Sequence, residues 1–239
     1  MEKPTIKFTT DIILIDVVGY SSLPNEYQLF TVEAINECIS KSLAFWSALK
    51  FLKREDVLLG FIPTGDGVYI ILNPTVCGYG IFLGLSLRNH LLYISSGMRE
   101  LYKGIRVGIN MGDVLPVNDI NGNRNYVGDG LNDCARLLSV KEEDAITFYG
   151  DSNYVVASES AYYWFSKLYI GDEVSEFLST IKFKRSDKIV IVDKHKKVHN
   201  AYMVESTRYI AIQPPYLKTY ETNPGTEQDA TANPQQRDF

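Results

Sequence analysis

The order of short aliphatic runs and long helical stretches constrains this chain most. Residues 8–16 are apolar and β-branched over a span too short for a helix, and they read as a buried strand. Residues 25–53 set Leu29, Phe30, Ile35, Ile39, Leu43, Trp46 and Leu49 near helical spacing, with Asn25 as N-cap. Two strands follow over 56–63 and 67–72, joined at Asp66 as a hairpin. A second helix is expected over 75–102, its start marked by Asn73-Pro74, and 104–110 is another strand. Strand, helix, two strands, helix, strand is the order of an α+β sandwich of the ferredoxin-like βαββαβ type. Beyond it lie a turn-rich segment at 117–130, a short helix over 131–140, and C-terminal additions that end in strands at 188–193 and 201–204. One domain is expected over 1–206. The remainder, 207–239, is a polar tail, rich in Pro, Asn, Thr and Gln from about Gln213, and reads as disordered.

Charge and cysteine usage narrow the function classes. A formal net charge of −5 lacks the basic excess that a nucleic-acid partner calls for. Cys38, Cys77 and Cys134 are odd in number and widely spaced, which gives neither a disulfide framework nor a metal-ligand spacing and suits a reducing cytoplasm. The first residues lack a signal-peptide apolar region. The most apolar stretch, 76–87, stops at Arg88 and is too short to span a bilayer. A soluble cytoplasmic protein without membrane contact is expected.

Two aspartates mark where chemistry can sit. Asp16 closes Ile12-Ile13-Leu14-Ile15-Asp16 and precedes Val17-Val18-Gly19-Tyr20-Ser21. Asp66 lies in Thr64-Gly65-Asp66-Gly67, just before Val68-Tyr69-Ile70-Ile71-Leu72. Carboxylates at the ends of buried strands, beside glycines that let a ligand approach the backbone, suit Mg²⁺ or Mn²⁺, which take oxygen ligands and leave positions for phosphate. Asp-Gly is equally an ordinary hairpin turn. A third motif runs Asn125-Tyr126-Val127-Gly128-Asp129-Gly130-Leu131-Asn132-Asp133-Cys134-Ala135-Arg136. On a helix, Asn132 and Arg136 lie four apart on one face. An amide and a guanidinium so placed can hold a ribose and a phosphate, although the pair alone also fits a solvated helix face.

Taken together and in this order, Asp16 with Val-Val-Gly-Tyr-Ser, Thr-Gly-Asp66-Gly, Arg106-Val-Gly-Ile and Gly-x-x-x-Asn132-x-x-x-Arg136 make residues 8–205 resemble the catalytic domain of class III nucleotidyl cyclases. The resemblance implies two divalent cations, Mg²⁺ or Mn²⁺, held by Asp16, Asp66 and the carbonyl of Val17. It implies that Arg106 contacts the triphosphate, that Asn132 orients the ribose and that Arg136 stabilises the transition state. Lys194, in Asp193-Lys194-His195-Lys196, resembles a phosphate-contacting lysine, with His195 where the family has glycine; Lys196 or Lys197 are alternatives. The reaction implied is attack of the ribose 3′-hydroxyl on the α-phosphate of a nucleoside triphosphate with loss of pyrophosphate. It needs no side-chain base, and His90, His195 and His199 read as surface or core residues. The family builds its sites at a head-to-tail homodimer interface, so Asp16, Asp66 and Arg106 would face Asn132, Arg136 and Lys194 of a second copy, with 117–127 as the arm reaching across.

Departures concern the base. Adenylyl and guanylyl cyclases place polar readers at two positions occupied here by Ile62, which cannot hydrogen-bond, and Asn125, which both donates and accepts. Neither purine assignment transfers. A chain of this character resembles the pyrimidine cyclases of Pycsar anti-phage systems, whose cyclic UMP or cyclic CMP activates a separate effector. UTP is expected ahead of CTP, and Tyr20, Tyr69 and Tyr126 are further candidates near the base, although core packing suits them better. Three other readings stay open: a purine cyclase, a catalytically inactive nucleotide sensor, and an RNA-binding module using an open sheet face.

Overall fold

The computed structural model describes residues 6–50, 53–95, 104–171, 181–193 and 195–206. Strand β1 (Phe8–Val17) is followed by α1 (Asn25–Lys50), a short α2 (Arg54–Val57), β2 (Leu58–Pro63), β3 (Gly67–Leu72) and α3 (Gly80–Ser95). Then come β4 (Ile105–Asn118), β5 (Arg124–Val127), α4 (Asp129–Leu137), α5 (Glu142–Tyr149), β6 (Tyr154–Ser158), α6 (Glu159–Gly171), β7 (Phe183–Arg185), β8 (Ile189–Val192) and β9 (Val198–Ser206). The strands join in the order β2-β3-β1-β4-β6-β9-β7, with β5 paired to β4 and β8 to β9. The first four strands thus reproduce the βαββαβ arrangement expected, and β1 sits at its centre.

The period of two in β1 explains both cores. Ile13, Ile15 and Val17 face one side and pack with Ile35, Ile39 and Leu43 of α1, Phe82 and Leu83 of α3, and Phe165 of α6. Ile12 and Leu14 face the other side, beneath Cys134 and Leu137 of α4 and Ala145 of α5. Burying an aliphatic side chain this completely contributes roughly 1.5–3 kcal/mol, which is why a strand apolar on both faces takes the middle of the sheet. Helices therefore cover both faces of the central strands, and the open strand platform required by the RNA-binding alternative is occupied.

Several boundaries differ from expectation. The carbonyl of Pro24 accepts the amides of Tyr27 and Gln28, so Asn25 begins α1 inside the helix rather than capping it. The stretch 75–102 is not one helix. Asn73 caps a 3₁₀ turn at Pro74–Val76 through Thr75 N (3.1 Å), Gly78 takes a positive φ of 91°, and α3 starts only at Gly80. The buried Asp11 accepts from the Gly78 and Gly80 amides (2.6 and 2.9 Å) and so fixes that start. β4 runs on to Asn118, and the turn-rich segment is its hairpin with β5, closed by Asp119 accepting from Asn121 N and Asn123 N (2.8 Å each). Cys38, Cys77 and Cys134 are free thiols. Among the described residues, no helix is long and apolar enough to cross a membrane. The expected tail, 207–239, lies outside the described residues.

Candidate functional site

Register places Asp16. Directly opposite residues of antiparallel strands share a face, and Asp16 lies opposite both Gly67 on β3 and Arg106 on β4. A Cβ on Gly67 would stand 1.9 Å from the Ile15 carbonyl oxygen, so only glycine lets β3 leave its turn this close to β1. Arg106 Nε donates to Asp16 Oδ2 at 2.7 Å, and Nη2 lies 2.5 Å from the same oxygen. Partial burial disfavours the charge on Arg106, but the hydrogen bond and charge of Asp16 outweigh it and raise its basicity. The side chain expected on a triphosphate is thus engaged by a carboxylate of its own chain.

Asp66 joins the same corner through the backbone. It lies exposed in the turn between β2 and β3, where Gly65 takes a φ of 96°. The Val17 amide donates to the Asp66 carbonyl at 3.0 Å, and Thr64 N donates to Gly67 O at 3.0 Å. These bonds clamp the turn against the end of β1 and bring Asp16, Val17 and Asp66 together. Two carboxylates and a neighbouring carbonyl form a hard oxygen set that fits Mg²⁺ or Mn²⁺. Among the described residues no three His, Cys, Asp or Glu side chains converge as a metal cage. A divalent ion held at this corner therefore completes its shell with water or phosphate, as Mg²⁺ usually does.

Asn132 and Arg136 sit on α4, which lies over β4 and β1. Its inward stripe is Gly130, Cys134 and Leu137, all buried, and the Cys134 thiol contacts the carbonyls of Ile12 and Gly108 (3.5 and 3.4 Å). Burial pushes that thiol's pKa up, so Cys134 is a packing residue. Gly128 and Gly130 allow the approach, since a Cβ on either would stand 2.6–2.7 Å from the Asp113 carbonyl. Asn132 is exposed and Arg136 half-exposed, on the face turned from the sheet. Among the described residues, no hydrogen bond or ion pair joins Asn132 or Arg136 to Asp16, Asp66 or Arg106. The chain presents two separate groups.

Beyond Arg136 lies a cluster that sequence reasoning missed. Arg136 Nε is 3.8 Å from Asp193 Oδ2, and the same oxygen is 3.4 Å from His199 Nε2. His199 Nδ1 lies 3.9 Å from Asp133 Oδ1, and Lys197 Nζ contacts both Asp133 oxygens at 2.6 and 2.8 Å. A cavity of about 290 Å³ opens beside it, lined among others by Asn110, Ser158 and Glu159. Burial works against ionisation of Asp193, but the Lys197 and His195 amides, with His199, hold it below the usual carboxylate range. Lys197 is paired with Asp133, Lys196 is exposed, and Lys194 lies outside the described residues. The left-handed conformation of this turn falls on Lys196 (φ 63°), so His195 occupies a position that needs no glycine.

The residues expected around a base are set by packing. Ile62 lies opposite Tyr69 and packs against the second core. Asn125 Oδ1 accepts the Tyr126 amide at 2.7 Å. The hydroxyls of Tyr69 and Tyr126 donate to Leu131 O and Leu59 O (3.3 Å each), and that of Tyr20 reaches Gln28 O at 3.5 Å. Burial pushes Tyr69 up to about 12, so it remains a neutral donor. Buried Tyr126 ties the root of the β4–β5 hairpin to its own chain, whereas Ile120 at the tip is fully exposed. His90 is a core residue between Ser42 and Ser86, and His195 is exposed.

Three solved structures similar to this chain show the fold. The adenylyl cyclase CyaB from P. aeruginosa aligns at 17% identity and a TM-score of 0.59, over 86% of this chain and 98% of its own. The guanylate cyclase domain of RhGC from Catenaria anguillulae, in complex with GTP, gives 15%, 0.54, 85% and 100%. The guanylyl cyclase Cya2 gives 14%, 0.55, 84% and 93%. No protein-family model and no curated protein matches the chain. The fold is that of class III cyclase catalytic domains.

Proposed function

We propose that this chain, which has the class III cyclase fold, is a metal-dependent nucleotidyl cyclase acting as a homodimer. It converts a nucleoside triphosphate to the 3′,5′-cyclic monophosphate and pyrophosphate. The observation that supports this is the backbone clamp of the Asp66 turn onto the end of β1, which puts the Asp66 main chain against Val17, next to Asp16, where the sheet's central strands emerge. Asp16 and Asp66 would hold the cations, with the Val17 carbonyl alongside. Once bound, such ions lower the pKa of an attacking hydroxyl and neutralise phosphate charge. Arg106 adds a guanidinium for the triphosphate, Asn132 orients the ribose, and Arg136 offsets charge that develops on the α-phosphate. Lys194 would take the outer phosphates. The separation of the two groups within one chain supports composite sites, in which the outward face of α4 serves a second copy.

For the base we favour a pyrimidine, UTP ahead of CTP. Ile62 offers no polar contact, and a site without a purine reader leaves buried purine edges unpaired. Asn125 Oδ1 accepts from Tyr126 N with one of its two lone pairs, and its NH₂ can donate to a carbonyl such as those of uracil. The solved neighbours carry the names of adenylyl and guanylyl cyclases, which favours a purine as the second reading. A cyclic pyrimidine nucleotide would act as a cytoplasmic messenger in antiviral defence, read by a separate effector; this part stands on the sequence resemblance. Incubating the purified protein with each of the four ribonucleoside triphosphates and Mn²⁺, and identifying products by mass, tests it. Cyclic UMP as main product is expected, and no cyclic product from any of the four overturns the cyclase assignment.

A further inference from the structure

We infer that Asp193, steadied by His199, is a positioning residue for Arg136; the inference rests on the cyclase reading of Arg136. Arginine has three rotatable bonds beyond Cβ, and a half-exposed one samples many rotamers. Here the Asp193 carboxylate stands 3.8 Å from Nε, the nitrogen nearest the stem; this is an ion-pair distance, longer than a hydrogen bond, so its charge biases the side chain from the stem side. A phosphoryl group is recognised by the terminal Nη fork.

Asp193 is itself over-determined. Its side chain is 7% exposed. Its Oδ1 accepts from the amides of His195 (2.8 Å) and Lys197 (2.9 Å), which locks it into the turn between β8 and β9. Its Oδ2 is left to face Arg136 and His199. His199, buried on β9, reaches Asp193 with one ring nitrogen and Asp133 with the other. Asp133 belongs to α4, as Arg136 does, and takes the Lys197 ammonium. The chain of contacts thus closes on itself, from α4 through the β8–β9 turn and back to α4. Arg136 is held beside a frame in which the Asp193 and Asp133 carboxylates are joined through His199 and Lys197. A guanidinium already aimed has less reorganisation to undergo when charge develops.

The test has two arms. In the first, Asp193→Asn and His199→Gln are compared with wild type and Arg136→Ala in pyrophosphate release. Both variants should lower kcat by about 10- to 100-fold with KM changed by no more than about twofold. In the Arg136→Ala background Asp193→Asn should cost nothing further, because a residue acting only through Arg136 has nothing left to position. An additional loss there, or an equal loss in kcat for Asp193→Glu, overturns the inference. The second arm needs no turnover: the ¹⁵Nε signal of Arg136 should be resolved in wild type and move to the position of exposed arginines in Asp193→Asn. A signal unchanged by Asp193→Asn also overturns it. Absence of cyclase activity with an intact Nε restraint would instead dismiss the catalytic reading of Arg136.

Discussion

At the scale of single residues, the informative contact is Arg106 on Asp16. On the proposed reading of Asp16 as a cation ligand, a guanidinium sharing its oxygen makes ion binding a competition. Arg106→Ala should therefore tighten Mn²⁺ binding in the absence of nucleotide by about three- to tenfold, modest because the pair is partly exposed. The same variant should lower turnover, since the triphosphate loses a cation. Calorimetric titration with Mn²⁺, beside a pyrophosphate assay, checks both signs; weaker Mn²⁺ binding would remove the competition. Asp66→Ala should abolish turnover while leaving thermal stability nearly unchanged, because the carboxylate is exposed and its hydrogen bond from Thr64 is long (3.5 Å). Asp16, Asp66, Asn132 and Arg136 were legible as types at fixed spacing. Asp193 and His199 were not, because their meaning lies in contacts with α4 across about sixty positions of sequence. No local pattern records such a contact.

Elements carry two further expectations. Gly67→Ala should destabilise the chain by about 1–3 kcal/mol, because its Cβ meets backbone that cannot yield. Chemical denaturation measures this directly. Asp11 links stability to pH. Burial raises its pKa to about 7, against the opposing hydrogen bonds of Gly80 and Gly78, and its buried Oδ1 has no hydrogen-bond partner among the described residues. The folded state then binds a proton that the unfolded chain has already released, so stability falls as pH rises from about 4 to about 7. Asp11→Asn should remove that dependence, and its melting temperature relative to wild type should climb between pH 5 and pH 8. A constant difference would place the carboxyl in a more hydrated setting. The main strands were readable from β-branched runs, whereas the break before α3 was not. There Asp11, sixty-seven positions upstream of Gly78, decides where the helix begins.

For the whole molecule, the order of elements in the sequence led to the fold. The sheet order and the two cores follow from a central strand apolar on both faces. Among the described residues, no hydrogen bond or ion pair joins the two proposed groups of site residues. Asp16, Asp66 and Arg106 gather at the end of β1, while Asn132 and Arg136 look outward from α4. If sites form between copies, Asp66→Ala and Arg136→Ala inactivate opposite halves of each site. Mixing the two proteins, each with at most residual activity, under conditions of subunit exchange should restore about a quarter of wild-type turnover, since about half the dimers are mixed and each has one intact site of two. No recovery, with mixed dimers shown to be present by mass, would mean that both halves must come from one chain.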